Sequence, residues 1–327
     1  MHPRATLLLT AALIGCPGPN NTGDVGVLGD APTSDAPGVS VGIVPANFLP
    51  AALVAGSTIT TEPCTLSGGA SSTCYRVSLT GAPADHAVGP FCPRTITDGA
   101  EAAGIWIENN RTYDVTGAWV TQLATFYSDP TWQLYDATTG VVRVTDTQAA
   151  CQAAARPMVD PAYNNYCVEC AISYVGGGIS DTYLLPVTPV PLATPAEIGR
   201  MSVVGVALNG VAFDPPAPTD AILAAHTIAA FDDCGGHVNL MAGYHYHAAT
   251  GCSHEVAQAD AHAPLIGYAM DGYGIFAMTD AGGVEPSDLD ACRGHSDAVR
   301  GYHYHVAGAG ENMFIGCFHG QQGSVVR

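Results

Sequence analysis

Along most of the chain the apolar positions fall in short runs rich in β-branched and aromatic residues, separated by Gly, Pro, Asn and Asp. That spacing is the signature of strands and turns rather than of long amphipathic helices. Ile105 to Glu108 and Arg111 to Val115, joined by Asn109-Asn110, predict a hairpin. Trp132 to Tyr135 and Val141 to Val144 predict a second, with the longer loop Asp136 to Gly140. Ser202 to Leu208 and Val211 to Phe213 flank Asn209-Gly210, a pair suited to a tight turn. Two short helices are expected: Asp146 to Arg156, alanine-rich and stopped by Pro157, and Asp220 to Ala230, with Thr219 as N-cap. The expected fold is mainly β, an antiparallel sandwich-like domain with short helices. Residues 47–200 read as an N-terminal β region and 201–327 as a duplicated unit, with a single domain over 47–327 as the alternative.

The first residues follow another pattern. A one-arginine segment, Met1 to Arg4, precedes the apolar run Ala5 to Ile14 and then Leu13-Ile14-Gly15-Cys16. The run is too short to span a bilayer, and a small residue before a cysteine resembles a bacterial lipoprotein signal over residues 1–15. That resemblance implies cleavage before Cys16 and a lipid on its sulfur, the lipid being the only membrane contact expected. Pro17 follows where an aspartate would mark inner-membrane retention, so the outer membrane or cell surface is the expected location. Residues 16–46, rich in Gly, Pro, Ser and Asp, read as a flexible tether.

Composition narrows the function. Charged residues make up only 12% of the chain, the net charge is -19, and all ten basic residues are arginine. Such a surface repels phosphate backbones and excludes nucleic acid as a partner. Neither a Gly-X-Ser-X-Gly nor a His-Glu-X-X-His signature is present, so the common hydrolase classes gain no support. Eleven cysteines leave ten once Cys16 is set aside, an even number in a compartment that permits disulfides.

The C-terminal third repeats itself. Asp232-Asp233-Cys234-Gly235-Gly236-His237 and Gly243-Tyr244-His245-Tyr246-His247 match Asp290-Ala291-Cys292-Arg293-Gly294-His295 and Gly301-Tyr302-His303-Tyr304-His305 at a constant offset of 295 - 237 = 58. Equivalence of the copies pairs Cys234 with Cys252 and Cys292 with Cys317, and Cys64 and Cys74 are close enough to pair locally. Cys92, Cys151, Cys167 and Cys170 are left with three connectivities. Cys167-Val168-Glu169-Cys170 has redox-motif spacing but no βαβ surroundings, which favours a structural bridge.

These residues, together with Gly205 to Val211 and Leu265 to Gly272, resemble the YHYH domain proteins, strongly over Met201 to Gly320. A weaker similarity falls on Asp85 to Phe91. The resemblance implies a domain and no established activity, so chemistry has to come from the side chains. On a strand, His245 and His247 share a face opposite Tyr244 and Tyr246, and His303 and His305 do the same. His237 and His295, each eight residues before a tetrad histidine, supply third candidates, and a pseudo-twofold would bring four or more imidazoles together. Imidazole ligation with thiolates oxidised suits copper or zinc. The expected function is exported metal binding, with a metal-dependent oxidase or hydrolase on the same site, or a structural adhesion domain with non-ligating histidines, as alternatives. Asp271 is the candidate catalytic or ligand-orienting carboxylate. His86, His254, His262 and His319 lie outside the repeated spacing.

Overall fold

The computed structural model describes residues 42–326, so the expected signal segment, Cys16 and most of the expected tether lie outside the described residues. Ile43 is already buried, and Val44 N donates to Tyr268 Oη at 3.0 Å. The fold is mainly β, with antiparallel sheets and few short helices. Thr60–Thr65, Ser71–Leu79, Asp181–Pro186 and Ser324–Val326 form a four-stranded antiparallel sheet in that order. The Ile105–Glu108 and Arg111–Asp114 strands form the first expected hairpin, turning at Asn109 and Asn110 with φ of 53° and 59°. The second shrinks to an isolated bridge between Tyr135 and Val142.

The eight-stranded sheet carries the repeat. Named by first residue, its strands run 236, 243, 212, 205, 265, 274, 301, 294. All seven neighbour pairs would be antiparallel in a simple meander, and five are. Here two are parallel, 243 with 212 and 274 with 301, which makes the sheet mixed. At its centre Gly205 pairs with Ala269, Val206 with Tyr268, and Ala207 with Gly267. At an offset of 62, Val206 pairs with its own equivalent, Gly205 with the equivalent of Ala207 and Ala207 with that of Gly205, so a pseudo-twofold axis passes through the Val206–Tyr268 pair. Glycine is required at both flanks: a Cβ at Gly205 would lie 2.4 Å from Tyr268 O, and one at Gly267 would lie 2.3 Å from Val206 O.

The duplication is therefore longer than the tetrads. Gly205 faces Phe213 as Gly267 faces Ile275, and Val206 faces Ala212 as Tyr268 faces Gly274. The offset is 62 in this hairpin and 58 from Asp232 onward, so the first copy is four residues longer between them. Its connection holds the helix Thr219–Ala224. That helix is shorter than expected. Pro218, not Thr219, is its N-cap, without a side-chain hydrogen bond, and His226 ends it in the left-handed region at φ 54°. Ile228–Ala229 then pairs as a parallel strand with Cys167–Val168. The alanine-rich helix spans Gln148–Ala154, with the Thr147 side chain accepting from Ala150 N.

Five disulfides brace the chain: Cys64–Cys74, Cys92–Cys167, Cys151–Cys170, Cys234–Cys252 and Cys292–Cys317. Cys167 and Cys170 go to different partners, so their short spacing is not a redox pair.

Candidate metal centres

Each cluster is built on a turn that aspartate closes. Asp232 Oδ1 accepts from Cys234 N at 3.2 Å and Gly236 N at 3.1 Å, and Asp290 Oδ1 accepts from Cys292 N at 2.8 Å and Gly294 N at 2.9 Å. Such side-chain-to-backbone bonds stabilise a tight turn over any extended alternative. The left-handed residue of each turn is Gly235 or Arg293, and its carbonyl accepts from His247 N or His305 N at 2.9 Å. In the following antiparallel pairs His237 sits directly opposite His245, and His295 opposite His303. Directly opposed residues project on the same face, and residues two apart do as well. Three imidazoles per copy are thus gathered by register alone.

The copies do not pool their histidines. The strands at 243 and 301 occupy the second and seventh places of the sheet, five spacings or about 24 Å apart. The expectation of one shared site of four or more tetrad imidazoles is corrected accordingly. Duplication joined the halves through the inner strands and left each tetrad near an outer edge. Among the described residues, two separate all-histidine clusters offer ligand atoms within 4.8 Å of one another: His237, His245 and His247, and His262, His295, His303 and His305. His262 lay outside the repeated spacing, yet its Nε2 is 3.0 Å from His303 Nε2, and His295 Nε2 is also 3.0 Å from it. No repeat signal could have found it, since the position 62 residues earlier is Arg200.

Proton placement follows from the other ring nitrogens. His245 and His303 Nδ1 face Gly243 O and Gly301 O at 3.0 and 2.9 Å, and His247 and His305 Nδ1 face Pro215 O and Ala277 O at 2.6 and 2.9 Å. His262 Nδ1 faces Ala263 O at 2.9 Å, and His295 Nδ1 faces Asp288 Oδ1 at 2.9 Å. A carbonyl or carboxylate only accepts, so each Nδ1 carries a proton, which in the neutral tautomer leaves the Nε2 lone pair directed inward. Burial pushes His262 down, His303 down to about 3 and His305 down to about 4, with neighbouring imidazoles adding to the effect on the last two. Burial and the neighbouring imidazoles hold His237 and His247 well below the ordinary range. His305 Nε2 is buried without a hydrogen-bond partner.

Lone pairs 3.0 Å apart repel unless a cation lies among them. Tetrahedral zinc, with Zn–N of about 2.0–2.1 Å, sets its ligand nitrogens about 3.3 Å apart, close to the spacing observed. The donor set therefore fits a nitrogen-liganded metal, with the carbonyls and Asp288 orienting the rings.

The tyrosines face away from the imidazoles. Tyr244 Oη donates to Asp232 at 2.8 Å, Tyr302 Oη donates to Asp290 at 2.9 Å, and Tyr304 Oη donates to Asp271 Oδ2 at 2.5 Å. Burial raises all four tetrad phenols, which keeps them protonated. Asp271 belongs to this tyrosine network and to neither histidine cluster. His86 meets Tyr246 Oη through Nε2 at 3.2 Å, and the Cys234 and Cys252 sulfurs near it are bonded to each other. That third grouping offers no thiolate.

Fold and site together define a disulfide-braced β protein whose duplicated sheet presents two polyhistidine clusters. Residues 182–288 match the family described as YHYH protein, so the chain carries a YHYH domain. The matched segment holds the first tetrad, His262 and Asp271, and stops before the second tetrad. No curated protein and no solved structure matches the chain.

Proposed function

We propose that this chain is an exported transition-metal-binding protein holding one copper or zinc ion in each histidine cluster. The observation that carries the reading is the convergence of the His262, His295 and His303 Nε2 atoms, at 3.0 Å from His303, while every Nδ1 is committed to an acceptor. With each Nδ1 proton directed at its own acceptor, the converging Nε2 atoms present lone pairs to one another. Imidazole-only ligation favours copper or zinc over calcium or magnesium, and thiolates do not compete because all ten cysteines from Cys64 to Cys317 are paired.

Export and lipid anchoring through Cys16 to the outer membrane or cell surface belong to the same proposal. They are supported by the signal-like pattern of residues 1–15 and by five disulfides, which persist in oxidising compartments. An acidic surface of net charge -19 would attract cations to it. Elemental analysis of the protein purified without a His-tag tests the metal reading. Two equivalents per chain are expected, and less than a tenth of an equivalent, with none added back on incubation, overturns it.

A further inference from the structure

The two clusters are not copies of one another. The first has three histidines and the second has four, with His262 as the addition. Their surroundings differ in the same sense. His237, His245 and His247 line a cavity of about 340 Å³, at the lower end of small-molecule sites, and the second cluster contributes nothing to that cavity. The walls are mostly apolar, including Phe91, Val203, Pro216 and Ile222, and their few charges are of both signs.

The asymmetry is traceable to sequence. Asp214 lines the cavity with Oδ2 3.9 Å from His245 Nε2. The position 62 residues on is Phe276, whose ring lies 4.8 Å from that of His262 and 5.0 Å from that of His303. Where the first half presents a carboxylate beside a cavity, the second presents a phenyl ring and a fourth imidazole. The longer connection of the first copy, through Pro215, Pro218 and Ile222, forms part of the cavity wall. Saturated four-ligand sites are structural, whereas three protein ligands leave a position for water or substrate.

Resting on the metal-binding reading, we propose that the His237/His245/His247 centre is the reactive one. It takes a small, neutral, mainly apolar molecule that enters from the cavity and offers a single nitrogen or oxygen donor to the metal. Asp214 stands beside the open position as a positioning carboxylate. The His262/His295/His303/His305 centre is closed and braces the fold.

Pyridine, neutral and mainly apolar with one nitrogen donor, is the probe. The full chain is loaded with Co(II) and its visible spectrum followed during a pyridine titration. One of two bound equivalents is expected to respond, with at least tenfold tighter pyridine binding than the other. His247→Ala is expected to lose the responsive ion, and the His303→Ala/His305→Ala variant the silent one. Two bound equivalents with no response, or with equal responses, overturn this inference alone, as does a response that survives His247→Ala. Uptake below a tenth of an equivalent overturns the metal-binding reading and this inference with it. The wild-type titration decides even if a variant fails to fold.

Discussion

Asn209 and Asp271 occupy the same turn position in the two halves of the sheet, and each bonds the second tyrosine of its own tetrad with opposite polarity. Asn209 Nδ2 donates to Tyr246 Oη at 2.8 Å, whereas Asp271 Oδ2 accepts from Tyr304 Oη at 2.5 Å. The amide is neutral at every pH, while the carboxyl must be buried either charged or protonated. Asp271 is fully buried, and burial lifts its pKa from 3.8 to about 6 despite the bonds from Tyr304 and from Gly320 N.

Asp271→Asn should therefore flatten one part of the stability profile. Because the folded pKa lies above the unfolded one, the folded chain holds this proton more tightly. The contribution is fully present below pH 3.8 and is lost as pH rises through about 6. A shift of this size corresponds to about 3 kcal/mol. Relative to wild type, the variant should gain up to that amount between pH 4 and pH 8, read from urea unfolding at both values. A wild-type-to-variant difference that stays constant over that range rules the argument out.

The imidazoles titrate in the opposite sense. His303 at about 3 and His305 at about 4 lie below the ordinary value of 6.5, and His237 and His247 are lowered too. The metal-free unfolded chain binds protons first, so stability is full above pH 6.5 and is lost as pH falls toward 4. Metal-free protein should show a falling urea midpoint from pH 6.5 to 4.5. Replacing His303 and His305 by Gln should weaken that dependence, and an unchanged slope in the variant would contradict it.

Cys92–Cys167 closes a separation of 75 residues and Cys151–Cys170 one of 19. In the loop-entropy account the longer bridge stabilises by roughly 4 kcal/mol and the shorter by about 3 kcal/mol. Cys92→Ser/Cys167→Ser should therefore cost more than Cys151→Ser/Cys170→Ser in thermal unfolding. Peptide mapping under non-reducing conditions should recover both cross-links, and a Cys167–Cys170 peptide would refute the connectivity.

The tetrads, their constant offset and the three cysteine pairs with close or repeated spacing were legible because all are local patterns. The longer repeat was not: Gly205-Val206-Ala207-Leu208-Asn209-Gly210 and Gly267-Tyr268-Ala269-Met270-Asp271-Gly272 share only two glycines and an alanine. Those are the residues that the close central seam and the turn demand, while the others vary with the side chains they meet. The separation of the clusters was hidden because the 212 and 274 strands join their tetrads by long-range parallel pairing. His262 is brought in only by the fold, and the Asp220 to Ala230 helix failed where Ile228 was needed for pairing with Cys167.

Metal removal should loosen the fold most at the four-histidine centre, where His262 precedes the Leu265–Ala269 strand and His295 and His303 lie on the Gly294–Asp297 and Gly301–His305 strands. An ion that binds the folded state alone contributes about 4 kcal/mol when free metal is a thousandfold above its Kd. For a domain of this size that is roughly 10 °C in Tm. Chelation of the loaded protein should lower Tm by at least that amount, and His303→Ala should abolish the second ion's share of the chelator effect. His247→Ala should leave the effect of the second ion in place, because that cluster is about 24 Å away across the sheet. Calorimetry with and without chelator on the three proteins separates these outcomes. Identical melting of loaded and chelated wild type would mean that the histidines are held by hydrogen bonding alone.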